Sequence, residues 1–212
     1  MKRAISNTNV LDARFDAADF TGAWLASFGR PELRGSWLVY GGSGSGKTTF
    51  MLQLGKYLTN FATVAYNSLE QGFSLSLQRA WERVDMAEAG NKITLLEKET
   101  LADLQARLKK RRRPDVVIID SLHYWVNFGM NDYVGLVNDF RNTLFIFCAH
   151  EQKGVPRGAL AQYILYNSDV KIRIEGWKAF VTSRYENTKK GEGGSEYIIW
   201  EQRADDYYFN KI

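Results

Sequence analysis

Two rhythms of apolar and polar positions run through the chain from residue 36 onward. Short apolar runs predict strands at 36–40, 63–67, 93–97, 115–120, 144–149, 169–175, 178–183 and 196–200. Between them, apolar residues recur at helical spacing and predict helices at 47–59, 73–85, 99–112, 132–142 and 158–167. Met51, Leu54 and Leu58 share one such stripe, Phe73, Leu77, Ala80, Trp81 and Val84 a second, and Leu101, Leu104 and Leu108 a third. Strands that alternate with helices imply βαβ units: a mostly parallel sheet with helices on both faces. The last three strands follow one another with no helix between them and predict an antiparallel addition. Residues 1–34 read as an N-terminal arm and helix laid on a core spanning 35–212, with Phe15, Phe20, Trp24, Leu25 and Phe28 as packing points. No repeat or linker divides the chain, so a single domain is expected.

Composition narrows this picture modestly. With 212 residues, 45% of them hydrophobic, the chain is long enough for one α/β domain with a sizeable core. No apolar run reaches the length of a membrane span, and the first twenty residues lack the apolar stretch of a signal peptide. Cys148 is the only cysteine, which rules out an internal disulfide and a cysteine-cluster metal site and suits the cytoplasm. The net charge of +4 is compatible with nucleic acid without arguing for it. The basic run Lys109, Lys110, Arg111, Arg112, Arg113 reads either as a patch for nucleic acid or, the favoured reading, as a solvated helix end, where cations complement the dipole.

Chemistry enters at "LVYGGSGSGKTTFMLQL". Gly41, Gly46, Lys47 and Thr48 fit the phosphate-loop pattern, with an apolar strand before it and a helical stripe after it. Glycines let such a loop curl so that successive N–H groups face an anion, and the helix start adds its positive end. The expected cradle is Gly41, Gly42, Ser43, Gly44, Ser45, Gly46, Lys47, Thr48 and Thr49. Lys47 would reach the β- and γ-phosphates of ATP, and the Thr48 hydroxyl would ligate Mg²⁺. In "RRRPDVVIIDS", Asp120 ends an apolar strand, the Walker B arrangement, and is the second expected Mg²⁺ ligand, with Ser121 placed to orient it. Glu70 follows the strand after the phosphate-loop helix, where a carboxylate could activate water for attack on the γ-phosphate.

These segments resemble the RecA-like ATPases, especially the RadA and DnaB branches, from about Gly35 to Trp200. "VAYNSLEQGFSLSLQRAWER" is similar to the family's strand and helix bearing the catalytic glutamate, which falls on Glu70. "LFIFCAHEQKG" is similar to the strand whose terminal polar residue senses the γ-phosphate, here His150. "KAFVTSRYEN" is similar to the strand carrying the Lys-x-Arg finger; Arg184 matches the arginine, but Thr182 holds the lysine position. The resemblance implies a three-layer fold, ATP hydrolysis, and a homo-oligomer, a hexameric ring or a filament, with ATP between subunits and Arg184 entering the neighbour's site. It further implies that two loops meet single-stranded DNA. One is "SLHYWVNFGMND", where His123, Tyr124, Trp125 and Phe128 could stack on bases. The other is "EQKGVPRGALAQ", where Lys153 and Arg157 could meet phosphates and Gly154 and Gly158 lend mobility. Aromatic residues in the first loop could equally pack on neighbouring helices. The implied role is in DNA recombination, repair or replication, with a virus or mobile element as one setting. A nucleotide-switched scaffold and a P-loop kinase are the alternatives; the second lacks an arginine-rich lid segment in this sequence.

Overall fold

The computed structural model describes residues 4–209. Nine strands and eight α-helices are found there: β1 (Gly35–Gly41), β2 (Val64–Ser68), β3 (Ile93–Glu97), β4 (Val116–Asp120), β5 (Leu144–Gln152), β6 (Val155–Pro156), β7 (Val170–Glu175), β8 (Lys178–Ser183) and β9 (Glu196–Ile198). The helices are α1 (Asn7–Leu11), α2 (Gly22–Phe28), α3 (Lys47–Leu58), α4 (Leu75–Arg83), α5 (Leu101–Leu108), α6 (Met130–Asp139), α7 (Ala159–Asn167) and α8 (Glu201–Phe209). The sheet runs β3-β2-β4-β5-β1-β7-β8-β9, with the short β6 folded back on β5. Its first six members are parallel, and β8 and β9 extend it antiparallel.

The apolar strands are continuous because both sheet faces are covered. Along β1, Trp37 and Val39 join one core with Phe50, Met51 and Leu54 of α3 and with Phe20 and Phe28 around α2. Leu38 faces the other core with Leu104 of α5, Leu136 of α6 and Ile164 of α7. The β4 strand divides the same way, Val116 and Ile118 against Val117 and Ile119. This is the three-layer architecture expected from the pattern.

Several boundaries move for local reasons. Helix α4 begins at Leu75 because Ser74 caps it, its side chain accepting from the Leu77 amide. Phe73 therefore lies outside the helix and is 75% exposed instead of completing the buried stripe. Thr100 and Asp103 form a capping box that starts α5, and the helix ends at Leu108, so the basic run follows its C-terminus. The last strand stops at Ile198, and β8 reaches β9 through residues 184–195 instead of a short turn. Phe15 is 65% exposed and does not act as a packing point, whereas Phe20, Trp24, Leu25 and Phe28 do. No helix among the described residues is long and apolar enough to cross a membrane.

The consequence for function is geometric. Parallel strands end at the same sheet edge, and register places Gly41 beside His150 and Ser68 beside Asp120 there. That edge carries the site.

Candidate functional site

Residues 42–46 turn sharply between β1 and α3. A Cβ at Gly41 would lie 2.3 Å from the Ile174 carbonyl oxygen, so the strand can pass β7 only without a side chain. Gly46, the N-cap of α3, has φ 104°, and a Cβ there would meet the Trp177 indole at 2.8 Å. Lys47 folds back so that Nζ donates to the Gly42 carbonyl at 2.6 Å. Ser45 Oγ is buried without a partner. Both observations fit a loop shaped around an anion: a cation held on a loop carbonyl, and a hydroxyl with its bonding capacity unspent.

A cavity of about 390 Å³ opens over this loop, lined by Ser43, Gly44, Gly46, Lys47, Thr48, Thr49, Glu70, Gln71, Asp120, His150, Trp177 and Arg203. Asp120 is buried, and burial raises its carboxyl above the usual range, with Glu70 adding to the rise. Hydrogen bonds from Tyr66, whose hydroxyl donates at 2.5 Å, and from Cys148 oppose that rise, as does Lys47. The Tyr66 phenol and the Cys148 thiol are in turn pushed up, mainly by burial. The peptide joining Asp120 to Ser121 is cis, and Ser121 Oγ is buried without a partner. The turn after β2 hangs on this strand: the amides of Leu69 and Glu70 both donate to the Asp120 carbonyl, at 2.7 and 3.1 Å. Glu70 is thereby presented at the cavity, with Oε2 3.9 Å from His150 Nε2.

The His150 imidazole is held below its ordinary value, first by burial and then by Lys47 and His123. It is therefore neutral at pH 7 and can accept or donate one hydrogen bond. His123 stands beside it, ring centres 4.9 Å apart, with its Nε2 3.0 Å from the Arg157 carbonyl. The Arg157 amide donates to the His150 carbonyl at 2.7 Å. Between these anchors β5 runs on to Gln152 and turns back through Lys153 and Gly154, at φ 54° and 82°, into β6. The expected loop is thus a tight hairpin, and Lys153 and Arg157 stand exposed on it.

Among the described residues no cluster of three or more His, Cys, Asp or Glu side chains could cage a metal. Thr48 and Asp120 each bring an oxygen to the cavity, and one or two protein oxygens are what Mg²⁺ takes, its shell being completed by water and phosphate.

The expected base-stacking role of Trp125 and Phe128 is not met, because both rings are buried. Trp125 is 6% exposed and stacks on Phe128 at 4.1 Å in the core beneath α6, so its ring offers no face to a base. The exposed aromatic of that loop is Tyr124, at 48%. Arg184 follows β8 at the opposite sheet edge: Ser183 pairs with Val170, whereas Gly41 pairs with Ile174. There Arg184 is ion-paired with Asp169 at 2.9 Å. Conversely, Gln71, Trp177 and Arg203 line the cavity without having been anticipated. Trp177 sits in what reads as a bare hairpin turn, and Arg203 in a polar tail with no apolar stripe to announce a helix.

No protein-family model matches the chain, and no curated protein matches its sequence. Solved structures do. The flagellar accessory protein FlaH from Methanocaldococcus jannaschii superposes with a TM-score of 0.57 at 16% identity, over 79% of this chain and 86% of that one. A KaiC-like protein from Pyrococcus horikoshii OT3 gives 0.56 at 17%, over 79% and 84%. The RadB recombinase gives 0.51 at 19%, over 79% and 88%. The fold is RecA-like. In this RecA-like frame the loop after β1, Glu70, Asp120 and His150 lie at strand ends along one sheet edge.

Proposed function

We propose that this chain is a Mg²⁺-dependent ATPase whose hydrolysis acts on single-stranded DNA. The observation that carries the ATPase reading is convergence: Lys47, Thr48, Glu70, Asp120 and His150 come from four separate segments and line one cavity. Lys47 leaves the Gly42 carbonyl for the terminal phosphates, which replace a neutral acceptor by a charged one. Thr48 and Asp120 would hold Mg²⁺, which would favour the ionised form of the buried Asp120 carboxyl and supply electrostatic stabilisation of the transferring phosphoryl group. Glu70 accepts a proton from the attacking water, and neutral His150, beside it, can hydrogen-bond the terminal phosphate. The DNA reading is supported by exposed Lys153 and Arg157, the second tied through its amide to the His150 carbonyl and through its carbonyl to the His123 ring.

A nucleotide-switched scaffold is the second reading. The burial of Trp125 favours it, because the strongest expected base-stacking group is spent on the core. The test is ATP turnover with and without single-stranded DNA, with sizing in a non-hydrolysable ATP analogue. Lys47→Ala should abolish most turnover, since one charged phosphate contact is worth several kcal/mol in the transition state, about 3–4 by analogy with lost oxyanion donors. Wild-type turnover in that variant would sink the phosphate-loop reading. DNA-independent turnover with a tight protein complex would favour the scaffold.

A further inference from the structure

Helix α8 brings Arg203 to the cavity over the phosphate loop and is attached through the tip of the β7–β8 hairpin. The β7–β8 hairpin turns through Gly176 and Trp177 alone, at φ 54° and 62°. Two left-handed residues in a two-residue loop suit glycine and asparagine. A tryptophan there is costly, so its ring must be wanted where the turn puts it. That place is the phosphate loop: the Trp177 amide donates to the Ser45 carbonyl at 3.2 Å, and its indole covers Gly46.

Helix α8 closes on the same tip. The Tyr207 ring packs where a Cβ of Gly176 would stand, and the Tyr208 hydroxyl donates to the Glu175 carbonyl at 3.2 Å. Trp200, just before the helix, meets Trp177 edge to face at 5.7 Å. The Arg203 guanidinium then lies 4.6 Å from the Trp177 ring and 4.8 Å from the Trp200 ring. Arg203 has no carboxylate within ion-pair distance among the described residues. It lines the cavity shared with Lys47, Thr48 and Thr49. Two aromatic faces orient a planar cation while leaving its N–H edges free for an anion.

We infer that Arg203 is a phosphate contact supplied by the same chain, clamped between Trp177 and Trp200, that closes α8 over a bound nucleotide. This rests on the nucleotide reading above. Trp177 covers Gly46, and the loop amides near the start of α3 face the α- and β-phosphates. Arg203 therefore acts on groups that ATP and ADP share. Arg83 provides the control: its guanidinium also lies over Trp200, at 5.8 Å, but it does not line this cavity.

The test is calorimetric titration of the full chain with Mg²⁺ and either ADP or a non-hydrolysable ATP analogue. Arg203→Ala should weaken both by about tenfold or more, the scale of one charge-assisted hydrogen bond. Arg203→Lys should fall between, keeping the charge and losing the planar stack, and Arg83→Ala should match wild type. In the wild type, either nucleotide should also protect the Arg203–Ala204 bond from trypsin, read by mass spectrometry. That arm needs no variant to fold. Wild-type affinity in Arg203→Ala, or cleavage unaffected by a nucleotide that binds, would overturn the proposal. A wild-type chain that binds neither nucleotide would overturn the phosphate-loop reading, and this one with it.

Discussion

Glu70 and His150 stand side by side at the cavity wall, 3.9 Å apart. Glu70 lines the cavity over the phosphate loop, and its side chain is 37% exposed, so water can reach it. Glu70→Gln keeps the shape and removes the basicity. It should bind ATP normally and turn it over about a hundredfold more slowly, the scale of lost general-base catalysis. Normal turnover would return Glu70 to a surface role. His150 permits a separate check. Its folded pKa is depressed, so the unfolded chain binds the proton more tightly. Neutral His150 contributes stability above the ordinary imidazole value, and that contribution is lost as pH falls through the lower, folded value. An NMR titration of the nucleotide-free protein should place the His150 midpoint below the ordinary value. His150→Gln should flatten the acid side of the stability curve. An ordinary midpoint would mean that burial and Lys47 do not reach the ring.

At the scale of elements, the loop after β4 and the hairpin after β5 separate into a structural part and an exposed part. Trp125 is core, so Trp125→Ala should cost about 3–5 kcal/mol of stability, the usual cost of removing a buried large aromatic side chain. Lys153→Ala and Arg157→Ala should leave stability near wild type, since both side chains are exposed. If the hairpin meets DNA, each should reduce the salt dependence of binding by somewhat under one unit of slope. Denaturant melts and fluorescence anisotropy across a salt series measure the two effects independently. A stable Trp125→Ala variant with weakened DNA binding would reverse the assignment. The two tryptophans also show why sequence reading succeeds unevenly. Trp125 lies in a loop without periodicity, so nothing in the spacing distinguishes a ring facing inward from one facing out. Trp177 is placed by φ angles that the residue type disfavours, which no propensity argument would select. Helix α8 buries only Ala204 fully and is held by aromatic and cation contacts, so it lacks the apolar stripe that makes α3 readable.

For the whole molecule, legibility follows the amount of buried surface. The strands and α-helices that feed the two cores were readable in kind, because a sheet covered on both faces demands unbroken apolar runs and striped helices; the short 3-10 turn that brings Met86 and Ala89 into the first core was not. The site residues at strand ends were readable for the same reason: once a parallel sheet is inferred, Gly41, Glu70, Asp120 and His150 must share an edge. What a single chain cannot contain is Arg184's target. The arginine stands at the far edge of the sheet, five to six residues of β1 away, or about 17–20 Å at strand rise. No rotamer spans that distance, so any catalytic role is played in a neighbouring copy. Its ion pair with Asp169 is largely exposed and worth about 0–1 kcal/mol, little enough to be exchanged for a phosphate across an interface. Arg184→Ala should therefore lose turnover while keeping ATP binding and fold. Mixed with Glu70→Gln, it should regain activity, because about a quarter of randomly formed head-to-tail interfaces would join an intact Glu70 to an intact Arg184. Turnover of the mixture against each variant alone, with co-assembly shown by sizing, measures this. A co-assembled mixture no more active than its parts would leave Arg184 as an ordinary partner of Asp169.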